Sequence, residues 1–85
     1  MIAHVTFDAY ASAYEINGEL YYLKSKPGVQ SVRLLTKKEG EGPRYCLEIT
    51  AEDDAAEEIK KEMDRAKSTY SSQVSNFKYV TYTAL

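Results

Sequence analysis

Apolar and polar positions alternate from Ile2 to Tyr10, with Ala3, Val5, Phe7 and Ala9 on one side and Ile2, His4, Thr6, Asp8 and Tyr10 on the other. A period of two over this stretch predicts a β-strand. The period then changes. Ala13, Ile16, Leu20 and Leu23 recur at helical spacing, and Ser12 with Glu15 has the S-x-x-E spacing of a capping box. Lys24 and Lys26 sit where a helix C-terminus favours cations, so a helix is expected from Ser12 until Pro27-Gly28 stops it. Asn17-Gly18 opposes this reading, because the dipeptide favours a hairpin turn and a mid-helix glycine costs about 1 kcal/mol relative to alanine. The helix is preferred because such a turn would set Ile16 against Glu19 and Glu15 against Leu20, an apolar residue facing a charge in both pairs.

Alternation returns from Val29 to Lys37, where Val32, Leu34 and Thr36 face one way and Ser31, Arg33 and Leu35 the other. Lys38 to Pro43 carries two glycines and reads as a turn. Arg44 to Thr50 alternates Tyr45, Leu47 and Ile49 with Arg44, Cys46 and Glu48, so these two strands should form a hairpin. A second helix is expected with Thr50 as its cap and Asp53 three residues on; Ala55, Ile59, Met63, Ala66 and Tyr70 form its buried stripe. Glu57 and Lys61 are spaced as an i,i+4 pair. Ser71 to Asn76 reads as a polar loop and Phe77 to Leu85 as a last strand, rich in aromatic and β-branched residues.

The order βαββαβ with right-handed crossovers leads to an α+β fold. A ferredoxin-like sandwich is expected, with a four-stranded antiparallel sheet and two helices on one face. Its other face would be uncovered, carrying Phe77, Tyr79 and Leu35 among polar residues. An exposed apolar patch of that kind normally finds a partner. With 85 residues the chain has room for one domain, spanning residues 1–85. A core of that size is small, which raises the expectation of a homodimer through the open sheet face.

Composition narrows the chemistry. One cysteine, Cys46, excludes an intrachain disulfide, and one histidine, His4, leaves no zinc-type spacing, so no metal is expected. No glycine-rich cofactor loop is present in the sequence and no cofactor is expected. Neither a membrane-spanning run nor a basic leader opens the chain, and a cytoplasmic location is the default. A net charge of −2 and the lack of a large basic cluster argue against nucleic acid.

Gly28-Val29-Gln30-Ser31-Val32-Arg33 is similar to the G-V-Q-G-V-x-x-R phosphate loop of acylphosphatases. There the loop must open a helix so that amides point at phosphate, whereas here it follows a helix and enters a strand, so the likeness is set aside. RNA-recognition domains share the strand order but stack bases on several aromatics, where Gly42 to Ile49 offers only Tyr45. The eight tyrosines read better as edge and interface residues with buried rings and wet hydroxyls. His4 is the natural acid/base at neutral pH, although a hydrogen-bonded sheet histidine has the same signature. Asp8 shares its face but lies about 13 Å along the strand, too far to orient it, leaving Glu48 or Tyr79 to do so from neighbouring strands. Cys46 reads as a small buried filler.

Met1-Ile2-Ala3-His4-Val5-Thr6-Phe7, the Pro27-Gly28-Val29 entry to the second strand, and Arg44-Tyr45-Cys46-Leu47-Glu48-Ile49 before an acidic helix start together resemble the dimeric α+β barrel superfamily, nearest its stress-responsive A/B barrel group. The resemblance implies two sheets packed face to face, small-molecule pockets between sheet and helices, and activities such as cofactor-independent monooxygenation or polyketide cyclisation. Cyclase-like members pair the histidine corresponding to His4 with a second one in a stretch to which nothing from Ala55 to Asn76 corresponds, and the tryptophan of the haem-degrading branch is absent. The expected function is therefore binding of a small aromatic or apolar metabolite. If the protein is an enzyme, His4 is the acid/base, and Tyr79 or Tyr82, on a strand neighbouring the first, orients substrate. The alternative is a stand-alone effector-binding regulatory module, which would bind a polar ligand at an oligomer interface.

Overall fold

The structure, a computed structural model, describes residues 1–9, 22–70 and 73–85. Strands β1 (Ile2–Ala9), β2 (Val29–Thr36), β3 (Tyr45–Ala51) and β4 (Val74–Tyr82) form one antiparallel sheet in the order β2-β3-β1-β4. A 3-10 turn, Asp53–Ala55, leads into helix α1 (Ala56–Thr69), and residues 22–24 are helical as well. The molecule belongs to the α+β class. Most of the helix expected from Ser12, with Asn17-Gly18, lies outside the described residues.

Alternation decides which face is buried. Ala3, Val5 and Phe7 on β1, Val32 on β2, and Leu47, Ile49 and Ala51 on β3 point to one side. There they meet Leu23 from the first helical turn and Ala55, Ile59 and Met63 from the second. Ile59 and Val5 are fully buried, and side chains of this size contribute about 1.5–3 kcal/mol each on leaving water. Phe7 stacks at 5.8 Å on Tyr45 and at 6.5 Å on Phe77. Across the helical layer, Glu62 takes Lys26 at 3.2 Å and Arg65 at 3.0 Å, and both cations approach the Tyr22 ring. Burial pushes the Glu62 carboxyl up, but hydrogen bonds from Arg65 and Lys26 outweigh it and leave it below the usual range.

Two irregularities let the strands keep their apolar residues inside. Pairing of β1 with β4 shifts between Thr6 and Asp8, opposite Asn76, whose φ of 55° is left-handed. The extra residue lets Val74 and Phe77, three apart and therefore opposite in strict alternation, both pack against the core. A like shift between Val29 and Ser31 does the same for Val29 and Val32. Gly28, at φ +83°, takes the chain from the helical turn into β2, and its carbonyl accepts from Glu52 N–H at 2.9 Å.

Several expectations need correction. Phe77 and Tyr79 are not on the uncovered face; both pack against the core on the helical side, and of the three expected there only Leu35 is on the open side. Thr50 does not cap the second helix. It is the penultimate residue of β3, the helical segment begins at Asp53 after Glu52, and no side chain caps it. Asp53 instead accepts from the Met1 ammonium at 3.0 Å. Lys61 pairs with Glu58, one position nearer than Glu57, at 3.7 Å and fully in reach of solvent. The last strand begins at Val74 rather than Phe77, because the bulge at Asn76 breaks the alternation without ending the pairing.

Candidate functional site

The sheet face opposite the helices is covered by no element among the described residues. Register sets its side chains in three rows across β2, β3, β1 and β4: Ser31, Thr50, Ile2 and Tyr82; then Arg33, Glu48, His4 and Val80; then Leu35, Cys46, Thr6 and Lys78. Residues directly opposite in adjacent strands lie about 4.5–5.5 Å apart at Cβ, so each row is a line of touching neighbours.

The middle row is a hydrogen-bonded relay. Arg33 donates from Nε at 3.2 Å and from Nη2 at 2.5 Å to Glu48 Oε1, and Glu48 Oε2 lies 3.2 Å from His4 Nε2. The Arg33 guanidinium, and then His4, hold the Glu48 carboxyl below the usual carboxylate range against the opposing effect of burial. With Nε2 turned to Glu48, the other ring nitrogen of His4 is left for solvent or a ligand. The Tyr82 ring meets the imidazole edge-on at 5.3 Å between centroids, closing its flank. This arrangement can hold an imidazole in one orientation and present it as a proton acceptor or hydrogen-bond partner. Cys46 borders it, and burial, followed by the charge of Glu48, pushes its thiol up, away from thiolate chemistry.

β4 neighbours β1, as the tyrosine assignment requires, but the two tyrosines part company. Tyr82 shares the His4 face. Tyr79 pairs with Val5 and points under the helices, where its hydroxyl is buried and meets no hydrogen-bond partner among the described residues. Burial, with the Asp64 carboxylate adding to it, raises that hydroxyl above the ordinary tyrosine range. His4 and Tyr79 therefore cannot serve one ligand, because the sheet lies between them. Nor does His4 face a pocket between sheet and helices, the location implied by the barrel resemblance. A cleft of about 460 Å³ opens instead between α1 and the start of β4, lined by Asp64, Lys67, Ser68, Val74, Asn76 and Phe77 among others, away from His4.

Asp8 is taken up structurally. Its carboxylate accepts from Arg44 N–H at 2.9 Å and from Asn76 Nδ2 at 3.0 Å, which holds it below its ordinary range and ties β1 to both flanking strands. Gly28 follows the helical turn and enters β2, so the acylphosphatase-like segment is no phosphate loop at a helix start.

Arg33 is the member that sequence reasoning did not single out. The turn contained the signal: closing the hairpin by the Lys37 N–H to Arg44 carbonyl bond, 3.1 Å, fixes Arg33 opposite Glu48 by counting back along both strands. No protein-family model, curated protein or solved structure matches the chain.

Proposed function

We propose that this chain is a small-molecule-binding protein that acts as a homodimer, two ferredoxin-like subunits closing sheet to sheet as an α+β barrel of the dimeric superfamily its segments resemble. The placement of β3 between β1 and β2 suits the split β-α-β connection of that fold. The observation that carries the reading is the uncovered sheet face, where the exposed Ile2, Leu35 and Tyr82 surround the Arg33–Glu48–His4 relay. Apolar area of this kind is stabilised by a covering surface, and a polar group at its centre supplies orientation to a ligand trapped there. The ligand is an aromatic or apolar metabolite with one hydrogen-bonding group for His4, lying against Tyr82. Catalysis is a second reading favoured by the oriented imidazole alone: a cofactor-free proton transfer at a ligand held between the sheets, with His4 as the base.

Sedimentation velocity at micromolar concentration tests the dimer, and a strict monomer overturns the reading. Thermal shift in the presence of aromatic metabolites and of free amino acids tests the ligand. At 100 times its Kd a true ligand stabilises by about 2.7 kcal/mol. A response to amino acids with none to aromatics would transfer the assignment to an effector-binding regulatory module.

A further inference from the structure

The rows of the open face also decide how a second copy can lie on it. Two sheets packed in the aligned manner keep their strand directions within about 30°. A twofold axis in the plane between them then runs either along the strands or across them. Maximal overlap puts it through the centre of the face, between β1 and β3 and at the level of the middle row, since these are the inner strands.

An axis across the strands stacks each strand on its own copy. In the middle row Arg33 would meet Arg33, and Glu48 would meet Glu48, two like-charged pairs in the most desolvated part of the contact. An axis along the strands reverses the strand order and keeps each row over itself. Arg33 then lies opposite the partner's Val80, His4 opposite the partner's Glu48, and Leu35 opposite the partner's Lys78. No like charges meet in any of the three rows. Juxtaposed like charges cost several kcal/mol at an interface, enough to decide between arrangements of equal area.

We propose, resting on the homodimer reading above, that the dimer axis runs along the strands, so that each candidate site is shared: His4 of one protomer lies between its own Glu48 and the partner's Glu48. Each imidazole thereby has a carboxylate beside it in its own sheet and another facing it from across the barrel. A ligand bound at His4 touches both chains, and the site is incomplete in a monomer.

Val80 separates the two axes. Under the proposed one it faces the partner's Arg33, so Val80→Glu keeps or tightens the dimer while Val80→Lys raises the dimer Kd at least about tenfold. Under the other it faces itself, and both substitutions set like charges together. The measurement is the dimer Kd of the full chain by sedimentation velocity over a dilution series at low salt, with circular dichroism to establish folding. Leu35→Glu and Leu35→Lys repeat the contrast against the partner's Lys78 and decide the question where a Val80 variant does not fold. Equal weakening by Glu and Lys at either position overturns the proposal while leaving a dimer in place. A wild-type chain that stays monomeric throughout the series overturns the homodimer reading, and this proposal with it.

Discussion

Arg33 holds Glu48 through a single carboxylate oxygen: both Nε and Nη2 of the guanidinium donate to Oε1, at 3.2 and 2.5 Å. The other oxygen is thereby left for His4, and one glutamate orients an imidazole while itself being fixed by a cation.

That division has a pH signature. The Glu48 carboxyl is lowered in the folded protein from its ordinary 4.5, mainly by Arg33. A group lowered on folding adds stability that is fully present above its unfolded value and is lost as pH falls through the folded one. Glu48→Gln is expected to be less stable than wild type at neutral pH, with the gap closing as pH falls below the ordinary 4.5 and through the lowered folded value. Urea midpoints measured across that range check this, and a gap that persists unchanged into acid contradicts it. The loss is modest, because Arg33 is largely in solvent.

Tyr79 carries a buried hydroxyl with no partner among the described residues. Removing an unsatisfied buried polar group recovers its desolvation cost, about 1–3 kcal/mol at most. Tyr79→Phe should therefore leave stability unchanged or raise it, and should leave any ligand response of the His4 face intact. A clear fall in thermal midpoint would contradict this by showing that the hydroxyl has a partner that stabilises the fold, and loss of the response would show that it acts beyond the fold.

Gly28 and Gly40 both have positive φ, but of the two only Gly28 is short of space, where an added Cβ would lie 3.0 Å from Ala55 Cβ; at Gly40 it would meet nothing within 4 Å among the described residues. Gly40→Ala should cost about 1 kcal/mol through backbone strain alone, and Gly28→Ala about 1–3 kcal/mol more, because Ala55 is a buried residue of the turn that leads directly into α1 and cannot give way. Chemical denaturation of the two variants side by side isolates the packing contribution.

The sequence was most legible where alternation ran unbroken. Ala3, Val5 and Phe7, and likewise Leu47 and Ile49, are buried as their spacing required, and His4 and Glu48 take the other face for the same reason. Legibility failed at the bulges. Asn76 adds one residue to β4, so a pattern that looked finished at Phe77 continues to Val74 with its parity shifted. Tyr79 and Tyr82 are three apart with no bulge between them, so strict alternation puts them on opposite faces, and of these two alternatives only Tyr82 shares the face of His4. Thr50 failed as a cap because pairing with Ile2 and Ser31 kept it in the sheet. Local capping preference is worth about 1 kcal/mol and yields to a strand that is already paired on both sides.

The alternation of β1 has a consequence for how this protein can change. Residues answering for cohesion, Ala3, Val5 and Phe7, never share a surface with Ile2, His4 and Thr6. The chemistry of the open face can therefore be rewritten one residue at a time without disturbing what lies beneath the helices. Such a sheet is a palette: point substitutions at the surface rows change its chemistry, each step passing through a folded intermediate. A constraint falls on Glu48, whose replacement strands Arg33 and frees His4 in a single change.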